Sequence, residues 1–208
     1  MSSLAYGLRA RARSSRIPAA WRLALDWWVV RRGDVLGTGE RKYEELFRAL
    51  AAAYPGRVGV KIAYDNAVAH QIEAGADMFL MPSRYEPCGL NQIYSLKYGT
   101  VPIVRATGGL DDTIEAFDIE HGTGTGFKFV EYTGAAMLRS VRQALHLFMD
   151  ERIWRRIQLN GMGKDFSWKG SALEYAKVYA AARTARGLPA APGPALASGN
   201  QKPVATSN

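Results

Sequence analysis

The chain has 208 residues, 48% of them apolar and 11% aromatic, enough to build the core of one domain and at most two. It holds no run of eighteen apolar residues, which argues against a membrane-spanning helix, and its single cysteine, Cys88, excludes an internal disulfide and fits a reducing compartment. The net charge of +8 gathers at the start, where residues 1–34 carry seven Arg against two Asp, so the rest of the chain lacks the broad basic face that nucleic-acid binding requires.

Residues 1–25 contain no acidic residue and are rich in Arg, Ser and Ala. An organellar transit peptide has that composition, and so does a truncated or misassigned start, which is the preferred reading. Residues 1–34 are therefore set apart as a basic, atypical N-terminal stretch, in which 23–30 reads as a helix end running into a strand. Residues 35–186 carry the pattern of one α/β domain. Residues 187–208 shift to Ala, Pro, Gly and Ser and are expected to be a disordered tail.

Within the domain, 35–39 reads as a strand end and a glycine turn. It is not a dinucleotide fingerprint, because G-x-G-x-x-G would need glycine where Lys42 stands. A helix is predicted over 40–53, with Leu46, Phe47 and Leu50 as its apolar stripe and Tyr54-Pro55-Gly56 as its stop. Residues 57–64 alternate Val58, Val60, Ile62 and Tyr64 on one face, a strand pattern. Asp65 then caps a helix over 66–73. His70 lies on that helix and reads as a packing or surface residue. The apolar run 78–81 predicts a buried strand over 77–81 that leads into Pro82-Ser83-Arg84-Tyr85-Glu86-Pro87-Cys88-Gly89-Leu90-Asn91. A helix over 92–98 follows and stops at Gly99.

Residues 101–104 form a further buried strand, ending in Thr107-Gly108-Gly109-Leu110 and a short helix from Asp111. Residues 118–126 read as a loop and 126–130 as a strand. Helices are predicted over 135–149, with Leu138, Val141, Leu145 and Phe148 inward, over 151–162, and over 171–186, with Leu173, Ala176, Val178 and Tyr179 packing. Strands and helices in alternation predict an open parallel sheet with helices on both faces, a Rossmann-like arrangement. Ligands bind such sheets beyond the carboxyl ends of the strands. The loops at Glu86 and at Gly108 should therefore face one crevice, with a helix N-terminus offering partial positive charge to an anion.

The run S-R-Y-E-P-C-G-L-N-Q, followed by Y-G-T-V-P-I-V-R-A-T-G-G-L-D-D-T, resembles the donor-binding core of bacterial glycogen synthases and plant starch synthases. The resemblance extends over residues 36–179, roughly 140 of the 208, and matches only the C-terminal, nucleotide-sugar-binding half of those enzymes. It implies the second domain of a GT-B fold. It also implies a retaining transfer of glucose from ADP-glucose (UDP-glucose being the open alternative) to the non-reducing end of an α-1,4-glucan.

On that basis Glu86 lies beside the donor glucose, where its carboxylate favours positive charge developing at the anomeric carbon. Cys88, Gly89, Leu90 and Asn91 meet the diphosphate and sugar, as do Thr107, Gly108 and Gly109 on the opposite loop. Cys88 reads equally well as a small packing residue. Tyr64 is a candidate for stacking on the nucleobase. Tyr94 stands where related glycosyltransferases place a ribose-binding glutamate, a departure that the synthases share. No cofactor is implied, and no metal-ligand spacing is found.

The family's Arg- and Lys-bearing loop upstream of L-G-T-G is not recognisable here, nor are its Lys-x-Gly-Gly loop and acceptor domain. Removal of a positioned charge from such a site costs about a hundred- to a thousandfold in rate. The chain is therefore expected to be poorly active without an N-terminal acceptor half. Two further readings stay open: a non-catalytic module that binds a nucleotide or a glucan, and another GT-B glycosyltransferase. The resemblance implies a cytoplasmic bacterial protein, with a plastid as the alternative.

Overall fold

The computed structural model describes residues 5–10 and 30–189. The expectations for 23–29 and for the tail from 190 onward lie outside the described residues. The chain divides into two compact units, one ending at Lys164 and the other beginning at Asp165.

The first unit is built on a sheet in the order β3-β2-β1-β4-β5-β6, formed by β1 (Ala5–Ala10), β2 (Val30–Leu36), β3 (Val58–Lys61), β4 (Met78–Met81), β5 (Val101–Arg105) and β6 (Phe127–Phe129). β2 and β3 pair in parallel, as do β4 with β5 and β5 with β6. β1 lies between β2 and β4, antiparallel to both. The open sheet expected from the alternating pattern is therefore present, with one reversed strand supplied by the atypical N-terminal stretch. Gly7 allows this insertion. A Cβ there would meet Ile72 Cγ2 at 2.5 Å on the helix that covers this face.

The helices of this unit are α1 (Arg41–Ala53), α2 (Asn66–Gly75), α3 (Asn91–Tyr98), the short α4 (Gly109–Thr113), α5 (Gly134–Phe148) and α6 (Glu151–Met162). Their ends follow local chemistry. Asp65, Thr133 and Asp150 accept backbone N–H groups as caps of α2, α5 and α6. Gly99 ends α3 in the left-handed conformation at φ 77°, as its position predicts. β4 and β5 are continuous apolar runs because both of their faces are covered.

The core lies around those two strands. Met78, Val101, Ile103 and Phe127 from the sheet pack with Ala144, Leu145, Leu147 and Phe148 from α5 and with Trp154 and Ile157 from α6. The Phe148 and Trp154 rings meet edge to face at 5.0 Å. At the contact of α3 with α6, a Cβ at Gly161 would meet Leu96 Cδ2 at 2.7 Å, so glycine sets how close the helices come.

Some expected packing positions differ. Leu138 is exposed, whereas Val141, Leu145 and Phe148 do face the core. Leu46 is exposed too, and α1 buries no residue, because it runs beside the edge strand β3 and has only that edge to cover. The second unit contributes α7 (Trp168–Ala185), which likewise buries no residue. Leu173, Val178 and Tyr179, expected to pack, are exposed there, since the described residues of that unit form a single helix with no second element to close over its apolar side chains. No helix among the described residues is long and apolar enough to cross a membrane.

Candidate donor-binding site at the carboxyl edge of β4 and β5

Two loops leave adjacent parallel strands on the same edge of the sheet. One runs from β4 through Glu86 to α3, the other from β5 through Thr107 to α4. They touch, backbone to backbone. The N–H of Gly109 donates to the carbonyl of Glu86 at 3.0 Å. A Cβ at Gly108 would overlap the Glu86 carbonyl, and one at Gly109 would overlap the carbonyl of Cys88. Gly108 also has a positive φ of 48°. Only glycines let the second loop lie this close to the first.

Side chains brace the same contact. Gln92, fully buried at the start of α3, donates from Nε2 to the carbonyls of Cys88 at 3.0 Å and Gly89 at 3.1 Å, and to Thr113 Oγ1 at 3.2 Å. Thr113 passes its own proton to the Gly109 carbonyl at 2.5 Å. On the outer side of the loop, the Arg105 guanidinium donates to the carbonyls of Arg84 at 2.7 Å, Ser83 at 3.4 Å and Val130 at 3.1 Å. It thereby ties the end of β5 to the loop after β4 and to the residue after β6.

The residues singled out in the sequence fall as follows. Glu86 is half-buried in the first loop, Cys88 is exposed, and Gly89 adopts φ 72° just before the helix. Leu90 occupies the N-cap of α3, exposed and with no side-chain cap, and Asn91 is the first helical residue. The first N–H groups of α3 thus have no side chain of the cap residue to satisfy them, and an anion placed there would do so. Thr107, half-buried, and Gly108, exposed, bound the second loop, while Gly109 is buried against the first.

Tyr64 lies beyond the end of β3, 91% exposed, not on the strand itself. Tyr94 sits on α3 with its ring 5.1 Å from that of His70 on α2, and Tyr98 Oη lies 3.3 Å from His70 Nδ1. Next to that cluster, Glu73 is buried, with Oε2 unpartnered and 3.8 Å from His70 Nδ1. Burial pushes its carboxyl up to about 7. Among the described residues no group of three or more His, Cys, Asp or Glu side chains could hold a metal ion.

Sequence reasoning assigned no role to Gln92, Arg105 or Thr113. Gln92 was visible as the amide that closes the motif. The motif does not show that this amide reaches past its own loop to Thr113 at the end of α4.

An open α/β sheet with two interlocked loops beyond neighbouring strands is a Rossmann-like ligand-binding domain. Residues 29–156 match the family described as glycosyl transferases group 1, and the chain belongs to that family. It is 64% identical over 152 residues to a glycogen synthase of Koribacter versatilis, covering 73% of this chain and 31% of that protein. It is 54% identical over 157 residues to one of Anaeromyxobacter dehalogenans, covering 76% and 32%. The chain thus spans about a third of the length of the curated relatives it matches.

Among solved structures it resembles the catalytic domain of starch synthase IV from Arabidopsis thaliana bound to ADP and acarbose. The TM-score is 0.61 and the identity 32%, over 70% of this chain and 30% of that one. A sucrose-phosphate synthase from Thermosynechococcus elongatus shares the fold, with a TM-score of 0.52 and 23% identity over 72% of this chain and 38% of that one.

Proposed function

We propose that this chain is the donor-binding portion of a glucan synthase. In this reading it holds a nucleotide diphosphate sugar, ADP-glucose in preference to UDP-glucose, for retaining transfer of glucose to the non-reducing end of an α-1,4-glucan. The observation that carries the reading is the interlock of the Glu86 loop with the Gly108–Gly109 turn at the carboxyl edge of β4 and β5. It is supported by the names of the relatives and by the ADP in the starch synthase structure.

The diphosphate sits at the start of α3, against the N–H groups near Gly89, Leu90 and Asn91, where the helix end offers partial positive charge. The Glu86 carboxylate lies beside the glucose and stabilises the positive charge that develops as the nucleoside diphosphate leaves. Thr107 and Gly108 close the sugar from the opposite loop. Tyr64, exposed beyond β3, has its ring free to stack on the nucleobase. Transfer also needs an acceptor held in line with the donor. The function assigned to these 208 residues by themselves is therefore donor binding with little transfer, in the cytoplasm of a bacterium.

Calorimetric titration with ADP-glucose and UDP-glucose tests the reading. ADP-glucose is expected to bind in the micromolar to millimolar range and at least tenfold more tightly than UDP-glucose, and Glu86→Ala to weaken it tenfold or more. Absence of heat with either sugar nucleotide, in a chain that unfolds cooperatively, would sink the proposal. Equal affinity for the two would remove the ADP-glucose preference and leave donor binding in place.

A further inference from the structure

We infer that Gln92 is a positioning residue for the donor site: its side-chain amide locks the Glu86 loop to the Gly108–Gly109 turn, and donor binding requires that lock. The inference rests on the donor-binding reading for its consequence, and on geometry alone for the lock itself.

The amide nitrogen has two protons and three acceptors within 3.2 Å, namely the Cys88 and Gly89 carbonyls and Thr113 Oγ1. The Thr113 hydroxyl has one proton, directed at the Gly109 carbonyl. It can therefore only accept from Gln92, which fixes the amide with nitrogen, not oxygen, toward these groups. The result is a relay running from the loop after β4, through Gln92 and Thr113, to the loop after β5. It runs alongside the backbone bond from Gly109 to Glu86.

The other end of the amide strengthens the assignment. Oε1 is buried and has no partner. A Cβ at Gly89 would come 2.5 Å from it. The side chain is thus held by its donor end, and it accepts an unsatisfied oxygen to keep that end in place. A glutamate, of nearly the same shape, would present only acceptors to three acceptors when ionised. When protonated it could restore one of the donor bonds.

The test uses the whole chain and compares wild type with Gln92→Glu and Thr113→Val. Hydrogen exchange at the Gly109 N–H reads the lock directly. In Gln92→Glu at pH 8 it is expected to speed at least tenfold, with the amides of β5 unchanged. Calorimetry with ADP and with adenosine reads the consequence. ADP affinity is expected to fall ten- to a hundredfold at pH 8 and to recover in part at pH 5.5, while adenosine stays within twofold. Such a split and such a pH rescue are not what a general loss of stability produces.

Unchanged Gly109 exchange in Gln92→Glu would overturn the lock. A faster exchange with unchanged ADP affinity would overturn its role in binding. If Gln92→Glu does not fold, Thr113→Val decides: at least threefold faster Gly109 exchange is expected, and none would overturn the inference. Wild type that fails to bind ADP would remove the donor reading, and the exchange result would still decide the lock.

Discussion

The two halves of the sheet are built differently. On the β4–β5–β6 side, strands are buried on both faces, and the loops at their carboxyl ends are tied by backbone bonds, Gln92 and Arg105. On the β2–β3 side, β3 has no fully buried residue, and α1 buries none. There a crevice of about 510 Å³ opens between β2, β3 and α2, lined by Arg32, Asp34, Lys61 and Gln71 among others. Asp34 faces α2 from the middle of β2, between Gly7 on β1 and Gly59 on β3, and pairs with Arg32 at 2.6 Å. A charge pair where a buried strand would carry apolar side chains leaves that space open. The side of the sheet that carries the motifs is fixed in place, and the opposite side is loosely closed.

The largest expected effect comes from filling the tight side. Gly109→Ala would press a methyl group into the Cys88 backbone and should cost about 3 kcal/mol, read as a lowered midpoint in thermal unfolding. The matched change on the loose side, Gly39→Ala, meets open space and should alter stability by less than about 0.5 kcal/mol. Similar losses at the two glycines would break the comparison.

Glu73 gives an effect of nearly the same size that depends on pH. Its carboxyl is raised from 4.5 to about 7 in the folded chain, so the native state keeps a proton that the unfolded chain has lost. Stability should therefore fall as pH rises from about 4.5 to about 7 and level off above it, with a total contribution on the order of 3 kcal/mol. The His70 ring lies 3.8 Å from its Oε2, and the Thr100 hydroxyl donates to the backbone carbonyl of Glu73 at 2.5 Å. Glu73→Gln should flatten that decline in chemical unfolding at pH 5 and pH 8. An unchanged slope would assign the decline to other groups.

A smaller loss is expected from Arg105→Ala. It strands the Ser83, Arg84 and Val130 carbonyls at least in part and should cost about 2 kcal/mol, with faster exchange in the loop after β4. A smaller loss still is expected from Asp34→Ala, which removes one side of a partly exposed pair and should cost less than about 1 kcal/mol.

Much of the tight side was legible in the sequence. The runs 78–81 and 101–104 are apolar throughout because both faces are covered, and Gly99 at the end of α3 and the cap at Asp65 mark helix ends by local chemistry alone. What was not legible depends on distant partners. The amide of Gln92 reaches one of its acceptors, Thr113 Oγ1, at the end of α4, far along the chain, and nothing in the spacing shows that Gly108 and Gly109 press against Glu86 and Cys88. β1 was hidden because it comes from a stretch whose composition resembles no buried strand. Helical periodicity pointed to Leu173, Val178 and Tyr179 as a packed face, but periodicity cannot say whether a surface is present to receive it.

The most direct test of the central claim, that the interlocked edge of β4 and β5 is the donor site, is an amide-resolved NMR titration of the chain with ADP. The largest shifts are expected at Gly89, Leu90 and Asn91, with Gly109 following through its bond to Glu86. Shifts confined to Gly59, Lys61 and their neighbours around the β2–β3 crevice would contradict it and move the site to the loosely built side of the sheet.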